Sequence, residues 1–178
     1  LTLMELIVAI TILGVMASLS STAFLKLVSG AERRASLNDV HHLLASARAE
    51  AIRSASAVTI CPHNRGGVCT GDWTQTISVF RDPDNLRRLT QPENRVHTME
   101  PPDTGTLHVH VGNRGYFQYA ASGRVRGTLG NITYCPADGD IRKAGQVVLN
   151  MGGRPRRAKD HNGDGVVEKS DGSAVSCP

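Results

Sequence analysis

Residues 1–25 carry one acid, Glu5, in an otherwise apolar start. From Leu6 the run Leu-Ile-Val-Ala-Ile-Thr-Ile-Leu-Gly-Val-Met-Ala is apolar on every helical face. At about 1.5 Å per residue, a helix of this kind reaches across a hydrocarbon core of about 30 Å. The sequence therefore predicts a hydrophobic transmembrane or filament-core helix over residues 1–27 and a globular head over 28–178. No basic stretch precedes the apolar run and no small-residue cleavage site follows it, so it differs from an ordinary signal peptide. The chain reads as if a basic leader had already been cut away. Placing Glu5 in such a helix costs a few kcal/mol unless something pairs with it. In a stack of identical or related subunits, its carboxylate would neutralise the free amine at Leu1 of a neighbour. The plainer reading is a single-pass anchor with one tolerated acid.

Beyond the apolar run, Leu37, Val40, Leu44, Ala47, Ala51 and Ile52 recur at steps of three and four. Arg33, Arg34, Asp39, Arg48, Glu50 and Arg53 take the other faces. This periodicity predicts one helix from Thr2 to about Ser54, roughly 80 Å long. After Ser56 the texture changes to short β-type runs at 57–61, 74–80, 95–99, 107–111, 116–119, 130–134 and 145–150, separated by turn residues. The expected class is α+β: a long N-terminal helix packed on an antiparallel, β-sandwich-like head. With three Phe, three Tyr and one Trp, aliphatic side chains must build the core, which suits a small head better than a large ligand cavity.

All four cysteines lie downstream of residue 60, which fits two disulfides in an oxidising compartment. Their spacing pairs Cys61 with Cys69 and Cys135 with Cys177, the second bridge tying down the C-terminal tail. A four-cysteine zinc site is the rival reading, weakened by the lack of any C-x-x-C knuckle.

The opening Leu1-Thr2-Leu3-Met4-Glu5-Leu6, with Gly14, Ala17 and Phe24, resembles the mature start of type IV pilins and type II secretion pseudopilins. That resemblance implies cleavage and methylation by a prepilin peptidase, and assembly with other pilins through Leu1 and Glu5. It also implies residence in the bacterial inner membrane before assembly into a periplasm-spanning pilus. Leu1 stands where the family usually has Phe, and Thr22 where many pilins have Pro. The helix end from His41 to Arg53 is similar to the GspH/FimT branch, as are Gly123-Arg124, the segment Gly130-Asn131-Ile132-Thr133-Tyr134-Cys135 and Val147-Val148-Leu149-Asn150 with Gly153-Arg154. This branch implies a minor subunit, often placed at a filament tip.

Charge is unevenly spread. Residues 141–159 carry six cations and no acid, whereas residues 160–178 carry four acids and one cation. Arg154, Arg156, Arg157 and Lys159 follow Gly153, and Pro155 with the glycines predicts an exposed turn whose guanidinium groups suit phosphate oxygens. Gly153-Arg154-Pro155-Arg156 also resembles the Gly-Arg-x-Arg motif by which competence-associated family members bind double-stranded DNA for uptake. Gly123-Arg124-Val125-Arg126 repeats the pattern. The alternative is a solvated turn whose cations pair with the acidic tail.

That tail, from Asp160 to Asp171, reads like a twelve-residue calcium loop. Asp160, Asn162, Asp164, the Val166 carbonyl and Asp171 would be its ligands, with Asp where Glu is usual at the end. A Gly-Asp-Gly turn explains the same residues without a metal. His108 and His110 would share one strand face, with His97 nearby, as surface residues. No nucleophile elbow, phosphate loop or metalloprotease motif is present, so no enzyme and no other cofactor is expected. Three functions fit these features: a minor pilin that captures DNA, a minor pseudopilin of type II secretion, and a calcium-dependent pilus-tip adhesin.

Overall fold

The computed structural model describes residues 2–127 and 129–177, apart from the side chains of 17–29. Helix α1 (Leu3–Arg53) is continuous and about 77 Å long at 1.5 Å per residue. Thr2 caps its start: the Thr2 hydroxyl accepts from the Glu5 amide at 3.3 Å and the Glu5 carboxylate accepts from the Thr2 amide at 3.4 Å. Ser54 closes the other end, donating to the Glu50 carbonyl. Both ends match the expected limits. The side chains described over residues 3–16 are exposed. Among the described residues no helix is long and apolar enough to cross a membrane.

The second half of α1 seats the head. Leu37, Val40, Leu44, Ala47 and Ala51 are buried as their spacing predicts, and Leu43 joins them. Ile52 instead remains exposed. Glu50, expected on the solvent face, is buried at 7% exposure because Arg53 and, from a distant strand, Arg81 both close on its carboxylate at 2.7–2.9 Å.

Eight strands follow: β1 (Val58–Pro62), β2 (Ile77–Arg81), β3 (Arg95–Met99), β4 (Gly105–His110), β5 (Phe117–Tyr119), β6 (Gly130–Pro136), β7 (Gly145–Leu149) and β8 (Pro155–Arg157). They form two antiparallel sheets in the orders β3-β2-β1-β5 and β4-β6-β7-β8. The fold is α+β, as the sequence predicts. One continuous core joins α1 to both sheets, with Ile60, Ile77, Phe117, Tyr119, Ile132, Tyr134 and Leu149 among its buried members. Burial of this aliphatic and aromatic surface, at about 25 cal/mol per Å², is the main force holding helix and sheets together. His108 and His110 lie two residues apart in β4 and so share its face, as expected, whereas His97 lies in β3 of the other sheet.

Both expected disulfides are present. Cys61–Cys69 spans a Cα separation of 5.6 Å and Cys135–Cys177 one of 5.7 Å. The second bridge fixes the tail, whose Val175 is buried.

Candidate nucleic-acid interface and assembly site

The basic segment is a strand, not the irregular turn that Pro155 and the glycines suggest. Pro155–Arg157 pairs with the end of β7, Leu149 facing Pro155 and Val147 facing Arg157. Proline is tolerated because β8 is an edge strand, where one row of amides is unpaired. Arg154, just before the strand, and Arg156 within it are both exposed, as are Arg157 and Lys159. Arg157 donates to the Asn38 side chain of α1, which ties the strand to the helix. Among the described residues no carboxylate lies within ion-pair distance of Arg154, Arg156, Arg157 or Lys159. The acidic tail beside them forms no ion pair with them among the described residues.

Gly153 sets where this strand begins. It is buried at φ +76°, and a Cβ there would stand 2.0 Å from the Gly123 carbonyl oxygen. No side chain fits. Beneath it lies Tyr119, fully buried, whose hydroxyl has no hydrogen-bond partner among the described residues. Burial pushes that phenol well above its ordinary pKa, opposed by the Arg48 guanidinium.

Tail and basic strand meet around a cleft of about 920 Å³ lined by residues that include Arg156, Lys159, His161, Glu168 and Lys169. The Glu168 amide donates to the Lys159 carbonyl at 3.1 Å, which holds the tail against the end of the basic segment. The expected calcium loop is only partly assembled. Carboxylate oxygens of Asp160, Asp164 and Glu168 come within 4.8 Å of one another. Glu168 was not among the expected ligands, and Asp171, which was, accepts instead from the amide and hydroxyl of Ser173. Asp160 accepts from the amides of Gly163 and Gly165 at 2.6 and 2.8 Å, which hold its carboxyl below the usual range. The Asn162 side-chain oxygen accepts from the Asp164 amide, and the Val166 amide donates to Asp164. The loop's own amides thus occupy much of its acceptor capacity, as in the Gly-Asp-Gly turn reading.

At the other end of the molecule, the Glu5 carboxylate is exposed within its capping box, while Leu1, its expected assembly partner on a neighbouring chain, lies outside the described residues.

Comparison with solved structures gives two crystal forms of the type IV minor pilin FimU from Pseudomonas aeruginosa strain PAO1. The form in space group P21 has 15% identity and a TM-score of 0.54, covering 72% of this chain and 89% of that one. The form in space group P65 has 14% identity and a TM-score of 0.51, covering 71% and 92%. At these identities the likeness is one of fold. A comparison with curated proteins gives no match. The family model described as Type II transport protein GspH matches residues 36–153, from the middle of α1 to the glycine that opens the basic segment. Since that span exceeds half of the chain, the chain belongs to the GspH family of type IV pilin-like proteins.

Proposed function

We propose that this chain is a minor pilin of a type IV pilus that binds double-stranded DNA non-specifically through Arg154, Arg156, Arg157 and Lys159 for uptake. The observation that carries this reading is the exposed edge strand whose cations have no carboxylate partner, although an acidic tail is close at hand. Guanidinium groups that lack an ion-pair partner on an edge strand suit phosphate oxygens and require no base reading. The resemblance to the minor pilin FimU supports the pilus setting. In this reading the apolar start holds the subunit in the inner membrane after prepilin peptidase has acted, and Glu5 then leads it into a filament of related pilins.

The test is duplex binding by the full chain in non-ionic detergent, followed by fluorescence anisotropy across a salt series. Affinity should fall steeply with salt, and R154A/R156A should bind more weakly with a shallower salt slope. Binding by R154A/R156A as tight as that of the unchanged chain defeats the proposal.

A second reading, a minor pseudopilin of type II secretion, is favoured by the description of the matching family model. It expects charge reversal at Arg154, Arg156 and Arg157 to leave secretion intact.

A further inference from the structure

The two Gly-Arg-x-Arg segments lie 30 positions apart in sequence and meet in the fold. Gly123 and Gly153 are both buried and both left-handed, at φ +73° and +76°. The Gly123 carbonyl occupies the place where a Gly153 Cβ would sit. Two residues beyond Gly123, the Val125 amide donates to the Met151 carbonyl at 3.3 Å. Arg48 of α1 donates to the Gly123 carbonyl at 3.0 Å, so the helix pins the junction from behind.

From this junction the segments leave in the same manner. Arg124 and Arg126 are exposed with Val125 buried between them, as Arg154 and Arg156 are exposed on either side of the half-buried Pro155. Each segment lies along an open sheet edge. Val125 bridges Tyr119 and the Arg126 amide donates to Gln118, at the edge strand β5 of the first sheet; β8 is the edge of the second. Among the described residues Arg124 and Arg126 also have no carboxylate within ion-pair distance.

The cationic line does not stop at Arg126. The Arg114 guanidinium rests on Gly127, where an added Cβ would lie 2.2 Å from it. Arg114 and Arg87 then flank the Tyr116 ring at 5.8 and 5.6 Å. Arg87 is held there in a left-handed conformation, φ 54°, by its amide donating to the buried Asp82.

We infer that residues 123–126 form the second half of one DNA-binding track, joined to residues 153–156 at the paired glycines and continued by Arg114 and Arg87. The inference rests on the DNA-capture reading above and adds to it a second contact surface on the other sheet. Three residues on either side of the junction, at about 3.3 Å each, place all four arginines within roughly 20 Å of chain. A duplex of that length carries about twelve charges, enough to meet both segments at once. Edge arginines also discourage strand-to-strand aggregation, and that role alone would leave DNA binding untouched by their loss.

Anisotropy titration of the full chain in detergent, with a labelled duplex at several salt concentrations, separates the cases. R124Q/R126Q should weaken binding and lower the slope of log affinity against log salt by about 2, the loss of two phosphate contacts. R124K/R126K should restore most of it, since phosphates require charge and not a particular base contact. If the double Gln variant does not fold, the single R126Q is expected to lose about 1 from the slope. Unchanged affinity and slope in R124Q/R126Q, with or without added aggregation, overturns the inference while the weakening by R154A/R156A preserves the DNA reading. Wild-type-like binding by R154A/R156A, or no duplex binding by the unchanged chain, overturns both.

Discussion

Gly153 and Tyr119 share one small volume in which a single atom decides the outcome. A Gly153→Ala methyl would press on the Gly123 carbonyl and must also adopt a left-handed φ. Backbone strain of this kind costs about 1–3 kcal/mol before the clash is counted, so G153A should lower the unfolding free energy by at least that much, read as a lower midpoint. A midpoint equal to that of the unchanged chain means that the two segments do not touch. Tyr119 calls for the opposite change. Its hydroxyl is buried without a partner, and such a group costs about 1–3 kcal/mol. Tyr119→Phe keeps the ring in the core and removes the orphan, so it should raise stability in a denaturant titration; a loss of 1 kcal/mol or more would mean that the hydroxyl has a partner.

Among the elements, the Cys135–Cys177 bridge and β8 act together, because the tail that the bridge fixes is hydrogen-bonded to Lys159. Chain-entropy arguments give about 4 kcal/mol for its 42-residue separation and about 2.5 kcal/mol for the eight-residue separation of Cys61–Cys69. C135A/C177A should therefore lower the denaturation midpoint more than C61A/C69A; the reverse order would show that the tail contributes little to the folded head. The helix was legible in the sequence because its apolar spacing of three and four is a local signal. The cysteine pairs were legible from spacing as well. Glu50 was misplaced because its partner Arg81 arrives from a strand 31 residues away, which no helical pattern records. Strand β8 was hidden for a related reason: three residues with one Pro and two Arg have no intrinsic β preference, and only pairing with β7 makes them a strand. Gly153, Arg154 and Arg156 could be read as candidate site residues. Their contact with the Gly123 segment could not, because neither sequence motif says where the other folds.

Across the whole molecule, carboxylates held by hydrogen bonds make the fold sensitive to acid. Asp72 is held below its ordinary pKa of 3.8 first by the Thr74 hydroxyl, Asp138 by Lys143, Asp140 by Arg142, Asp160 by the Gly163 amide and Asp171 by the Ser173 hydroxyl. Each has a depressed pKa in the folded state, so the unfolded chain binds its proton first as pH falls. The stability that these groups contribute is present above the unfolded value of 3.8 and is lost as pH drops through the lower folded values. Melting temperature should therefore change little on their account near neutrality and decline once the pH passes below about 4. Asp160 provides the sharpest local check, because it accepts from both Gly163 and Gly165. Asp160→Asn removes its titration and should flatten part of the decline below about pH 4, read as melting temperature against pH in the full chain. An acid profile superimposable on that of the unchanged chain would show that the Asp160 turn does not contribute to acid sensitivity, leaving it to Asp72, Asp138, Asp140 and Asp171.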